Sequence, residues 1–67
     1  MLRLKVNGES REWDEVACVA DLVAALDLAG KRVALEKNGE IVPRSQYPLV
    51  GLADGDELEI VVAVGGG

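Results

Sequence analysis

The sequence predicts an α+β fold in which one helix packs on one face of a mixed β-sheet. Three observations lead to this class: apolar and polar residues alternate in the strand-like segments, Asn-Gly occurs twice, and one stretch has apolar residues at helical spacing. Asn-Gly supplies the two positive-φ positions of a tight hairpin, so strands should flank each dipeptide. A chain of 67 residues has room for one core, which we place in a single domain at residues 1–64.

A hairpin followed by a helix is predicted for the first thirty residues. Alternation over residues 2–6 indicates a half-buried strand, and a second strand should return through residues 10–13. Asp21 then lies in the first turn of a helix that Gly30 is placed to end after Leu28. The apolar stripe of this helix consists of Val19, Leu22, Val23 and Leu26.

The next segment is predicted to form a second hairpin. Residues 32–37 read as a strand with Val33 and Leu35 pointing inward, and Asn-Gly turns it into a short strand at residues 41–42. Pro43 should end that strand, because proline has no N–H to donate to a ladder. An irregular stretch is expected to follow as far as Ala53.

The last strand is the most informative element of the pattern. The turn Asp54-Gly55-Asp56 should start it, and it is apolar on both faces from Ile60 onward, as expected in the middle of a sheet. Placed beside the first strand, it gives the ubiquitin-like β-grasp arrangement. We expect its core face to consist of Leu58, Ile60, Val62 and Val64.

Composition and charge exclude several classes of function. Twelve acidic and seven basic residues give a net charge of −5, the wrong sign for binding a phosphate backbone or an anionic lipid. We therefore expect no nucleic-acid partner and no membrane partner. A single cysteine, no apolar run long enough to span a membrane and no signal peptide favour a reducing cytoplasm.

The sequence offers few residues for catalysis. It has no histidine, and Cys18 alone provides neither a nucleophile–base pair nor a metal site, so we predict no catalytic residue and no metal. The carboxylate pairs at 54/56 and 57/59 are interpreted as solvated acids, because nothing nearby would separate their pKa values. Cys18 is interpreted as a small packed side chain, and Trp13 and Tyr47 as covers of the core.

Five segments together resemble the ThiS family, the thiamine-biosynthesis sulfur carriers that are related to ubiquitin and to the small subunit of molybdopterin synthase. They are "VNGE", "VADLVAAL", "NGEIVPRSQY", "LADGDELEIV" and the terminal "VGGG", and they span almost the whole chain. The chain departs from the family at Cys18, where threonine often opens the helix, and at Glu15, where glycine is common. Both departures concern the stability of the helix.

The resemblance implies a role for the end of the chain. An E1-like adenylyltransferase would use ATP to adenylate the Gly67 carboxylate, and a cysteine desulfurase or another persulfide donor would supply the sulfur of a thiocarboxylate, 1-thioglycine. Thiazole synthase would then receive this sulfur. Residues 65–67 are expected to be a flexible glycine tail, with Gly65 and Gly66 passing through a narrow partner site because they lack a Cβ.

Partner docking is predicted on the sheet face opposite the helix, at Val61 and Ala63, with Arg44 as a further candidate. In this interpretation the protein is a co-substrate with no bound cofactor, and not an enzyme. Two alternatives stay open: a carrier for molybdopterin, cysteine or tRNA thiolation, which would share the fold and the terminal glycines, and a ubiquitin-like interaction module that is never activated.

Overall fold

The structure is a computed structural model that describes residues 1–63, and it confirms the predicted α+β class. The elements are β1 (Leu2–Val6), β2 (Glu9–Trp13), α1 (Val19–Ala25), β3 (Val33–Lys37), β4 (Glu40–Ile41), a 3₁₀ helix (Arg44–Gln46) and β5 (Glu57–Val62). The predicted core residue Val64 and the glycine tail lie outside the described residues.

The five strands form one mixed sheet with the order β2-β1-β5-β3-β4. β5 lies in the middle, parallel to β1 and antiparallel to β3, so the predicted position of the last strand beside the first is confirmed. Register places Val6 opposite Leu58 and Leu35 opposite Ile60. The last described strand therefore lies at the centre of the sheet.

Both predicted Asn-Gly hairpins are present. Asn7 and Gly8 have φ of 50° and 85°, and Asn38 and Gly39 have φ of 51° and 87°. Two consecutive positive φ angles define the type I′ turn, whose twist matches that of the flanking strands. Asparagine tolerates this conformation better than other residues with a Cβ, so the dipeptide fixes the register of both hairpins.

Helix α1 starts as predicted but ends earlier. The Asp21 carboxylate accepts hydrogen bonds from the Ala17 N–H at 3.0 Å and the Cys18 N–H at 3.3 Å, which satisfies two donors at the helix start. At the other end Asp27 takes a positive φ of 60°, its N–H donates to Ala24, and the Leu28 N–H donates to Val23. This is a Schellman motif with aspartate in the usual glycine position, so α1 stops at Ala25 and not at Leu28.

The core lies between α1 and one face of the sheet. Its buried side chains are Leu4, Val6, Val19, Leu22, Val23, Leu35, Val42, Tyr47, Leu58 and Ile60. Tyr47 belongs to the core as predicted, and Trp13 packs against it while half-buried. The predicted helix stripe is also confirmed, although Leu26 is only partly buried.

The prediction that Val62 is a core residue is wrong. Its side chain lies on the core face of β5 but is 39% exposed. Val62 is exposed because the two elements that would cover it end too early: β1 stops at Val6 and α1 stops at Ala25. The space left beside Val62 is a cavity of about 220 Å³, partly lined by Leu26 and Leu28.

The start of β5 is held by Asp56. Its carboxylate accepts hydrogen bonds from the Ala53 N–H at 2.9 Å and from Asn38 Nδ2 at 3.0 Å, and Lys37 Nζ lies 3.9 Å away. Partial burial raises the pKa of Asp56, but the two hydrogen bonds and the Lys37 charge outweigh it and lower the pKa below 3.8. The ionised form therefore stabilises the fold.

We expect acid to destabilise this protein through Asp56 and Asp21. Hydrogen bonds from the Ala17 N–H, the Cys18 thiol and the Cys18 N–H also lower the pKa of Asp21 below 3.8. A carboxylate with a lowered folded pKa contributes stability that is present above the unfolded value of 3.8 and is lost as pH falls through the folded pKa. Thermal unfolding from pH 6 to pH 2 should show a falling Tm below about pH 4, with a shallower fall for Asp56→Asn. An equal slope in Asp54→Asn and Asp56→Asn would contradict the assignment.

Candidate functional site

The candidate site begins where β5 ends. Along its β3 side, β5 is paired from Leu58 to Val62, and the Ala63 N–H still donates to the Arg32 carbonyl at 2.9 Å. The backbone is thus held by the sheet up to the last described residue. Val64 and the predicted tail residues Gly65, Gly66 and Gly67 follow this segment in the sequence and lie outside the described residues.

The face of the sheet opposite α1 carries an apolar surface next to the end of β5. Val61 is 64% exposed there and is paired with Ala34, which is also exposed. Ala63 is exposed as well and lies one residue beyond β5. Val61, Ala34 and Ala63 together are called the apolar surface below.

Charged side chains cover the same face further down β5. Glu59 lies directly opposite Glu36 on β3, and Glu57 lies opposite Lys5 on β1. Like charges in directly opposed positions of a sheet repel each other. This face therefore has an apolar end, at the last described residues, and a charged centre in which Glu59 and Glu36 oppose each other.

Arg44 lies elsewhere. It is exposed on the 3₁₀ helix and lines a small cavity of about 200 Å³ together with Ala20 and Val23 of α1. That cavity is on the helix side of the sheet, so the structure does not bring Arg44 together with Val61. A partner that contacts Arg44 would need to reach around the edge of the sheet or bind a second face.

The side chains of Asn7 and Asn38 form interactions that the sequence analysis did not predict. Asn7 bonds to both backbone polar groups of Ile60, and Asn38 Oδ1 accepts the Glu57 N–H at 2.9 Å. Both asparagines were predicted only as turn residues, because Asn-Gly is a turn signal whatever the side-chain amide does. Only the fold brings positions 53 and 19 residues apart into contact.

Within residues 1–63 the structure offers little for catalysis. No group of three or more His, Cys, Asp or Glu side chains in that range could hold a metal ion, and Cys18 is a half-buried free thiol. No helix in the described part of the chain is long and apolar enough to cross a membrane. The candidate site is therefore characterised by the end of β5 and by the apolar surface beside it.

In residues 1–63, one α-helix packed on a sheet whose central strand is β5 defines a ubiquitin-like β-grasp domain, and the solved structures that resemble this chain have the same fold. A crystal structure of the thiamine biosynthesis protein ThiS from Geobacter metallireducens has a TM-score of 0.82 at 33% identity, over 98% of this chain and 100% of the other. The ThiS family model matches residues 4–67. The chain therefore belongs to the ThiS family.

Two curated relatives differ in length. The sulfur carrier protein ThiS of Bacillus subtilis is 40% identical over 65 residues, which cover 96% of this chain and 98% of the relative. A thiazole synthase of Paramagnetospirillum magneticum is 44% identical over 66 residues, which cover 98% of this chain but only 20% of that protein. The chain thus spans about a fifth of the length of that synthase and nearly all of the carrier.

Proposed function

We propose that this chain is a sulfur carrier in thiamine biosynthesis and that its Gly67 carboxylate carries the sulfur. The observation that carries the proposal is the family match over residues 4–67, which includes the glycine tail as well as the folded domain. A similar protein of nearly equal length, from Bacillus subtilis, is a sulfur carrier. The central position of β5 supports the proposal, since the strand that precedes the tail in the sequence lies in the middle of the sheet.

The proposed chemistry starts from an inert group. A C-terminal carboxylate has a pKa of about 3.5, so at neutral pH it is ionised and resists nucleophiles. An E1-like adenylyltransferase would join it to the α-phosphate of ATP and release pyrophosphate. A persulfide sulfur would then attack the carbonyl carbon and displace AMP, and a thiol would reduce the resulting acyl disulfide to the thiocarboxylate.

Thiazole synthase is the proposed acceptor of this sulfur. The relative from Paramagnetospirillum magneticum is named a thiazole synthase and contains a segment similar to almost the whole of this chain. If the carrier works with thiazole synthase, we expect some thiazole synthases to contain a domain of this type. In this role the chain is a co-substrate of its partner enzymes, and a reducing cytoplasm with ATP is the compartment that we propose.

The test is the intact mass of the protein after incubation with ATP, cysteine, a cysteine desulfurase and an E1-like adenylyltransferase. We expect the mass change of one oxygen replaced by one sulfur, located on the C-terminal peptide. An unchanged mass would favour an interaction module that is never activated. Transfer of the thiocarboxylate sulfur to purified thiazole synthase, and not to purified molybdopterin synthase, would separate thiamine biosynthesis from other sulfur pathways.

The apolar surface is the proposed docking site for both enzymes. Each must hold the folded domain while the tail enters its active site, and exposed Val61 lies five residues before the second tail glycine. The repulsion between Glu59 and Glu36 favours a partner with basic residues next to an apolar contact, because such residues would relieve it. Binding should accordingly weaken with salt.

Val61→Glu should leave the fold intact and weaken binding to both enzymes by about tenfold or more, because a charge would be desolvated in the contact. Ala63→Glu should act in the same direction. Leu49→Glu is the matched control, since Leu49 is 73% exposed but lies outside the sheet. Titration calorimetry with each enzyme measures the effect. Equal affinities for Val61→Glu and Leu49→Glu would place docking elsewhere.

A further inference from the structure

The Asn7 side chain takes the place beside β5 that the next residue of β1 would occupy. β1 pairs with β5 only as far as Val6 and Leu58, because the chain turns away at Asn7-Gly8. Asn7 Oδ1 accepts the Ile60 N–H at 2.7 Å, and Asn7 Nδ2 donates to the Ile60 carbonyl at 3.1 Å. A side-chain amide has one acceptor and one donor group in the arrangement of a peptide, so it continues the ladder by one residue.

This pair of hydrogen bonds, called the Asn7 clamp below, lies close to the C-terminal end of β5. Ile60 is followed by only two more residues of β5, Val61 and Val62. On the β3 side the ladder continues to Val62 and Ala63. On the β1 side the clamp is the last hydrogen-bonded position in the described part of the chain, and beyond it lies the cavity beside Val62.

Asn38 is the counterpart of Asn7 at the other end of β5. It has the same positive φ, is followed by the same glycine, and holds the N–H of Glu57, the first residue of the strand. Both asparagines therefore accept a backbone N–H of β5, although Asn38 Nδ2 donates to the Asp56 carboxylate and not to the backbone. They also differ in position, because Asn7 acts near the C-terminal end of β5 and Asn38 at its start.

We infer that Asn7 is a positioning residue for the glycine tail: by pinning Ile60 through two hydrogen bonds on the β1 side, it helps β3 to hold the end of β5 in the sheet and so sets the rate at which the C-terminal carboxylate is activated. The inference rests on the proposed function. Without the clamp, the part-buried N–H and C=O of Ile60 lose their partners and the end of β5 opens more often. The carboxylate is then spread over more orientations, and fewer of them are reactive.

Glycine substitutions separate the clamp from the turn. Asn7→Gly removes both hydrogen bonds and keeps a residue that adopts positive φ freely, so the hairpin is retained. Asn38→Gly is the matched control at the remote end. Asn7→Asp keeps an acceptor for the Ile60 N–H but has no donor for the carbonyl when ionised, so it should give an intermediate result.

Amide hydrogen exchange tests the clamp without any partner enzyme. In Asn7→Gly the Ile60 amide should exchange at least about fivefold faster, the factor that corresponds to one net hydrogen bond, while the Glu57 amide is unchanged. Asn38→Gly should show the reverse pattern. Unchanged protection of Ile60 in Asn7→Gly would overturn the inference.

ATP–pyrophosphate exchange tests the role in activation, with a purified E1-like adenylyltransferase and all chains at a temperature where they are folded. Asn7→Gly should lower kcat at least about fivefold and leave KM within about twofold, since docking is intact and only orientation is lost. Asn38→Gly should match the wild type in both constants, and Asn7→Asp should lie between. Equal kcat for the two glycine variants overturns the inference.

If the wild-type chain supports no ATP–pyrophosphate exchange, the proposed function itself is overturned. Amide hydrogen exchange would still report on the Asn7 clamp in that case.

Discussion

Deleting Gly66 and Gly67 should abolish thiocarboxylation and leave the stability of the domain unchanged. Two residues of extended chain span about 7 Å, so the shortened chain withdraws its carboxylate by that distance from the activating site. Effective catalysis requires reacting atoms within about 3.5 Å of each other, and a displacement twice as large leaves no productive complex. Stability should not change, because the core that the structure describes is built from residues between Leu4 and Ile60, and neither deleted glycine has a side chain to bury.

The shortened chain provides its own control for docking. It keeps Val61 and Ala63, so it should compete with the full-length chain for the activating enzyme without being labelled. The measurements are the intact mass and thermal unfolding of the shortened chain, and its inhibition of the thiocarboxylation of the full-length chain. Sulfur on the new terminus, Gly65, would contradict the requirement for reach, and failure to compete would contradict docking through the apolar surface.

Much of the fold could be predicted because its signals are local. Asn-Gly specifies a turn within two residues, and alternation specifies which side chains of a strand point inward, so both hairpins and the central strand were predicted correctly. The helix end could not be predicted in this way. Asp27 occupies a position where glycine is the usual signal, and the sequence placed the stop at Gly30 instead.

The burial of Val62 was predicted wrongly for a related reason. Alternation gives the face on which a side chain lies but not what covers that face, and the cover depends on where β1 and α1 end. The interaction of Asn7 with Ile60 is equally non-local, since the two residues are 53 positions apart. By contrast, alternation places Val61 and Ala63 on the face opposite the helix, and no described element packs on that face, so their exposure agrees with the prediction, whereas Ala34 was not named.

Leu58→Ala should destabilise the domain strongly, and more than any substitution on the exposed face of β5. Leu58 is 1% exposed at the centre of the sheet, where Val6 lies opposite it on β1 and Lys37 opposite it on β3. Truncating a leucine at such a site costs about 2–5 kcal/mol, because the transfer free energy and the cavity left behind add together. A domain of this size has only about 3–5 kcal/mol from its core, so most or all of its stability would be lost.

Val61→Ala is the matched control for this substitution, three positions further along the same strand and on the opposite face. Val61 is 64% exposed, so its truncation should change the free energy of unfolding by no more than about 0.5 kcal/mol. Urea unfolding followed by circular dichroism gives both values, and intact mass after ATP-dependent labelling gives the consequence for function. Leu58→Ala should be labelled far less than Val61→Ala, because an unfolded chain presents its tail without the surface that docks it. Similar unfolding free energies for the two variants would mean that burial at the centre of the sheet is not what stabilises the domain.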